Sequence, residues 1–117
     1  LFSIMANTFV NKKADLTSNS ATTLYTVPSA TTAVVKSILV SEDSGNSDTI
    51  TVTITDTDDA VFSLFKTKAI SANATTELLS APLVVAESEV IKVTAATANR
   101  LHVVLSALEI KPRVVTS

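Results

Sequence analysis

The sequence predicts an all-β protein, an antiparallel β-sandwich of about eight short strands, jelly-roll-like, with extended arms at both ends. Three observations predict it. Asp48 to Thr55 alternates Ile50, Val52 and Ile54 with Thr49, Thr51, Thr53 and Thr55, a period of two that gives a strand one apolar and one threonine face. The chain is 46% hydrophobic over 117 residues, and Val, Ile, Leu and Ala supply most of that, with Thr and Ser leading the polar residues. The β-branched residues among these, Val, Ile and Thr, are stiff at χ1 and suit a pleated sheet. Turn chemistry also recurs at roughly 8- to 12-residue spacing, the rhythm of a sandwich or barrel.

Each element follows from its own residues. Residues 1–20 form an N-terminal arm, weakly patterned, with a short strand through Ala6 to Val10. Met5 opens a Met-Ala-Asn-Thr run that resembles a translation start, which would leave Leu1 to Ile4 upstream. The sandwich domain occupies 21–110. Thr22 to Val27 is a strand closed by Pro28, which cannot donate to a ladder. Ala33 to Ser41 is apolar on both faces and reads as a central strand, with Val34, Lys36, Ile38 and Val40 on one side and Val35, Ser37, Leu39 and Ser41 on the other. Ser44-Gly45-Asn46, holding the only glycine, supplies a turn. Asp56 to Asp59 turns the Asp48–Thr55 strand into Ala60 to Lys66, where Val61, Phe62, Leu64 and Phe65 predict a buried hairpin partner. Further strands are expected at Thr76–Leu79, Leu83–Val85, Val90–Thr94 and Leu101–Ile110, the last two joined by a hairpin loop through Ala95 to Asn99. Pro112 ends the pattern, and 111–117 is a C-terminal tail.

Composition narrows function. Aromatics make up 4%, with no Trp and Tyr25 the sole tyrosine, so stacking platforms for sugars or single-stranded nucleic acid are lacking. A net charge of −2, with basic pairs no longer than Lys12-Lys13, argues against a phosphate-backbone partner. A single glycine leaves no phosphate-cradling loop. With no cysteine, disulfides and Cys-based zinc sites are excluded. The most apolar run, Ala33 to Val40, is short and carries Lys36 in its middle, so no membrane span is expected.

Candidate chemistry is sparse. His102, the one histidine, has no nucleophile or carboxylate beside it by local spacing and reads as structural. Asp56, Asp58 and Asp59 invite a hard cation, but the glycine and downstream glutamate of a calcium loop are missing; the aspartates read as turn residues. Glu42, Asp43 and Asp48 around Gly45 read the same way. Asn73-Ala74-Thr75 matches a glycosylation acceptor, a short pattern in a Thr-rich chain. Lys66, Lys68, Lys111 and Arg113 read as solvated edges, where lysine discourages strand addition. The expectation is therefore no catalytic, cofactor or metal site, and no enzyme.

Two stretches carry a resemblance. Thr22-Thr23-Leu24-Tyr25-Thr26-Val27-Pro28, continuing through Thr31-Thr32-Ala33-Val34-Val35-Lys36-Ser37-Ile38, is one. Glu77-Leu78-Leu79-Ser80-Ala81-Pro82-Leu83-Val84-Val85, continuing through Glu89-Val90-Ile91-Lys92-Val93-Thr94-Ala95, is the other. Together, over about residues 20 to 110, they resemble small virion structural proteins of tailed bacteriophages of the marine and cyanobacterial type. In those proteins glycine often occupies the turn after the Val-Pro and the turn before the Ile-Lys-Val strand; here those turns read Pro28-Ser29-Ala30-Thr31 and Ala86-Glu87-Ser88-Glu89. The resemblance implies a virion location after assembly in the host cytoplasm, and partners that are other virion proteins, such as the major capsid protein. The high apolar content and the arms add an expectation of a homo-oligomer, a trimer or larger ring, because surplus apolar surface is covered by neighbours. A capsid decoration or cement protein is the leading role. The rivals are a tail, neck or fibre component and, in a different class, a carbohydrate- or receptor-binding module.

Overall fold

The structure is a computed structural model that describes residues 2–115, with side chains over 6–112. Leu1, Thr116 and Ser117 lie outside it, as do the side chains of Met5 and Arg113. Among the described residues every regular element is a strand: β1 (Phe2–Asp15), β2 (Thr22–Thr26), β3 (Thr32–Glu42), β4 (Asp48–Thr55), β5 (Val61–Ile70), β6 (Thr75–Glu77), β7 (Leu83–Val85), β8 (Val90–Ala95) and β9 (Leu101–Val115).

These strands form two antiparallel sheets. The front sheet runs β1-β9-β3, with β6 and β7 both paired to the free side of β3; the back sheet runs β2-β8-β4-β5. This is jelly-roll connectivity, the sixth of its eight strands being split into β6, opposite Leu39–Ser41, and β7, opposite Ala33–Val35. Between the two pieces Leu78 N–H still donates to Ile38 O at 2.9 Å. The inner faces pack Val35, Ile38, Val40, Val85, Leu101, Val103 and Leu105 of the front sheet against Tyr25, Ile50, Val52, Ile91 and Val93 of the back. Leu16, just past β1, closes one end of that core, its N–H donating to Leu101 O at 3.0 Å.

Several sequence expectations need correction. The alternation of β3 breaks at a bulge between Val35 and Ser37, which leaves Lys36 outward and puts Val35 and Ile38 on the same, inner face. A bulge inserts one residue and so shifts the phase of everything after it. The residues named as the buried set of β5 are only partly so: Val61 and Phe62 are 62% and 54% exposed, because β5 pairs with β4 alone and ends the back sheet. The Ala95–Asn99 loop joins strands of different sheets, arching over the end of the sandwich where a hairpin had been expected. At the termini the two arms are partners: β1 pairs with β9 along its whole length, Phe2 opposite Val115 and Asp15 opposite His102.

Pro112 accordingly lies inside β9 and does not end it. The pairing of β9 to β3 stops at Ile110 opposite Thr32, so beyond that point β9 has β1 as its single neighbour, the edge setting that tolerates proline. The ribbon this makes lengthens the molecule to 59 Å against 27 and 23 Å in the other directions.

Candidate assembly surface

Opposed residues of antiparallel strands share a face, so the front sheet's register defines what its outer surface presents. Ala107 and Glu109 of β9, Ala33 and Val35 of β3 and Val85 of β7 are buried. Their neighbours in sequence therefore point outward. One row crosses all the strands: Phe9 opposite Leu108, Leu108 opposite Val34, Val34 opposite Val84. Its two ends are open to solvent, Phe9 at 80% and Val84 at 64% exposed. A second row, nearer the other end of the sheet, runs Lys13, Val104, Leu39, Glu77. Between them lies a polar row of Asn11, Ser106 and Ser37, and a shallow groove is lined by Phe9, Asn11, Lys36 and Ser106. Apolar side chains in a contiguous band on an outer sheet face mark an interaction surface.

The other outer face is different in kind. Thr49, Thr51 and Thr94, with Thr67 beside them, line a hydroxyl-rich depression on the back sheet, with Thr67 N–H donating to Thr51 Oγ1 at 3.0 Å. The apolar and threonine sets read from β4 thus face inward and outward, although Ile54, at the strand's end, is only half-buried against the core.

The groups weighed in the sequence fall as follows. His102 sits on the front sheet's outer face with Nε2 3.2 Å from Asp15 Oδ1 and Nδ1 3.5 Å from Asp43 Oδ2. Both carboxylates are remote in sequence, Asp15 at the end of β1 and Asp43 just past β3, which local spacing could not reveal. Asp56 uses Oδ1 to accept the N–H groups of Asp58 and Ala60, at 2.9 and 3.0 Å, so this carboxylate organises its own turn. Among the described residues no three His, Asp or Glu side chains converge as a metal would require. Asn73 is exposed in its turn, its N–H donating to Glu42 Oε1 at 3.0 Å.

Glu42 is a structural hub. It is buried and accepts Ser44 N–H at 2.7 Å, Gly45 N–H at 3.0 Å, the Asn73 N–H and the Ser44 hydroxyl. Burial opposes its ionisation, but these donors outweigh that and hold its carboxyl down at about 2. Asp48 plays a similar part, accepting Thr49 N–H at 2.8 Å and Thr97 N–H at 3.1 Å and so tying β4 to the arch that follows β8.

The sequence reading missed Glu109. It occupies an inner position of β9 and is buried beside Tyr25, whose hydroxyl donates to Glu109 Oε2 at 2.5 Å. Lys111 Nζ lies 3.5 Å from Glu109 Oε1, and Lys12 Nζ stands 5.9 Å from the centre of the Tyr25 ring. The signal was available: continuing the inward series Leu101, Val103, Leu105, Ala107 by one step places a carboxylate on the core face.

No family model matches the chain, and no curated protein does. Among solved structures it is similar to the "Cyanophage Pam1 capsid asymmetric unit", at a TM-score of 0.38 and 18% identity, covering 93% of this chain and 84% of that one.

Proposed function

We propose that this chain is a non-catalytic structural protein of a tailed-phage particle, acting as a decoration or cement subunit that braces the head shell. The observation that carries the reading is the outer front face: a jelly roll whose core is complete still exposes Phe9, Leu39 and Val84 on one sheet face. A free monomer gains nothing from that arrangement, whereas a particle subunit removes the face from water against its neighbours. The phage-like segments at residues 22–38 and 77–95 supply the context. In the particle the neighbours are further copies of the chain, closed as a trimer or larger ring, and the major capsid protein.

The test is add-back. Particles made without this gene product are mixed with the purified protein, separated into heads and tails, and scored for bound protein and for the temperature at which the shell opens. Binding to heads with a raised opening temperature supports the cement role. Binding confined to tails moves the protein to the neck, tail or fibre, and binding to neither removes it from the virion.

A further inference from the structure

The outer front face is self-complementary. Reversing each of its rows places unlike ends together. The Phe9–Leu108–Val34–Val84 row, turned end for end, sets Phe9 over Val84 and Leu108 over Val34. The Lys13–Val104–Leu39–Glu77 row sets Lys13 over Glu77 and Val104 over Leu39. The middle row lays polar groups on polar groups. Apolar meets apolar and the one cation–anion pair at the row ends meets in opposite sense, all under the same operation.

The geometry points to a second copy of this chain as the occupant of this face, laid on it about a two-fold axis that runs parallel to the strands between β9 and β3. This deepens the assembly reading and rests on it. Such a contact is isologous: each patch supplies both halves, and it closes at two copies. It is consistent with the ring of the preceding subsection, because a ring doubled face to face has dihedral symmetry.

Charge placement supports the pairing. Glu77 is anchored where a partner lysine would meet it, accepting Ile38 N–H at 2.8 Å and Leu79 N–H at 3.3 Å as well as the Ser37 hydroxyl. Those donors also hold its carboxyl below the usual range against the opposing effect of burial. Lys13 is exposed on β1 at the opposite edge. Lys36, outward at the β3 bulge, lands over the Asn11–Ser106 groove of the facing copy, because the axis carries β3 onto β9. Size is adequate: four strands at their usual separation and nine residues of length give roughly 500 Å² per copy, about 1,000 Å² for the pair, the lower bound for a specific interface.

The experiment uses the full chain, which has no cysteine of its own. Phe9→Cys and Val84→Cys are made singly and together, and both sites are exposed enough to leave the core intact. Each protein is checked for native circular dichroism and treated at low concentration with a bismaleimide too short to span the roughly 14 Å that separates the two positions across one sheet. The double variant is expected to give a covalent dimer, and the single variants to stay monomeric on denaturing gels. Phe9→Glu in an otherwise native chain should weaken dimerisation by at least about tenfold in sedimentation, because it removes an aromatic contact with Val84 and leaves a charge against an apolar partner. A double variant that does not cross-link, or a single Phe9→Cys that cross-links as well, overturns the proposed axis. If such a protein still binds heads in the add-back assay, the assembly role stands and only the two-fold contact fails.

Discussion

Tyr25 of β2 and Glu109 of β9 join the two sheets through a buried hydrogen bond of 2.5 Å. Burial raises the Tyr25 phenol well above its ordinary value of 10.0, and the neighbouring Glu109 carboxylate raises it further. A phenol held neutral in the fold contributes stability below pH 10 that is lost as the pH climbs past it. Tyr25 is the only tyrosine and there is no tryptophan, so tyrosinate absorbance reports this site alone. It should stay absent above pH 10 until the protein unfolds. Tyr25→Phe should cost about 1–3 kcal/mol in a denaturant titration, because it strands one oxygen of a buried carboxylate.

Glu42 gives a second titration, of opposite sign. Its carboxyl is held at about 2 against an ordinary 4.5, so its contribution is complete above pH 4.5 and disappears as the pH falls toward 2. The native chain should lose denaturant resistance through that window. Glu42→Gln should be less stable than the native chain at pH 7, and the gap should shrink as the pH approaches 2. A constant gap across the window would show that the ionised form is not what the Ser44, Gly45 and Asn73 donors favour.

Position along β4 should grade the cost of truncation. Ile50 is fully buried, Ile54 only half. Ile50→Ala is expected to cost about 2–5 kcal/mol through the cavity it leaves, Ile54→Ala distinctly less, and Thr53→Ala under about 1 kcal/mol. Equal losses at Ile50 and Thr53 would contradict the inward and outward assignment of the two sets.

The turns are built almost without glycine. Ala30 and Ser88 have left-handed φ angles of 53° and 66°, and they sit in the two turns where phage proteins of the resembled type often carry glycine. A side chain there costs roughly 1–2 kcal/mol, partly offset by the lower chain entropy of a non-glycine residue when unfolded. Ala30→Gly should therefore raise the melting midpoint, with a gain of up to about 1 kcal/mol. Gly45, at φ 85° with open space where a Cβ would stand, should show the reverse: Gly45→Ala loses about 1 kcal/mol through the backbone alone.

How far the sequence could be read depended on the range of the information. The alternation in β4 is local and survives intact in the fold. In β3 the same rule failed after Val35, because nothing in an alternating run marks where a bulge inserts its extra residue. Val61 and Phe62 read as core, since apolarity does not say whether a strand has one neighbour or two. The arms were legible as extended segments, yet their pairing with each other is a contact across nearly the whole chain. The Phe9 to Val84 row is the extreme case. It exists only once β1, β9, β3 and β7 are in register, and no window of sequence contains it.

The pairing of β1 with β9 also sets an order of events during synthesis. β1 must wait for β9, which lies some hundred residues further along the chain, so the front sheet cannot close until β9 has been made. Until β9 emerges, β3 lacks a neighbour on one side and the inner apolar residues of both sheets remain open to solvent. Ladders so distant in sequence form slowly, on the order of milliseconds to seconds, and leave such species prone to aggregate in the meantime. A variant that frays β9 should accumulate as aggregate in the cell even where its finished fold would have been stable.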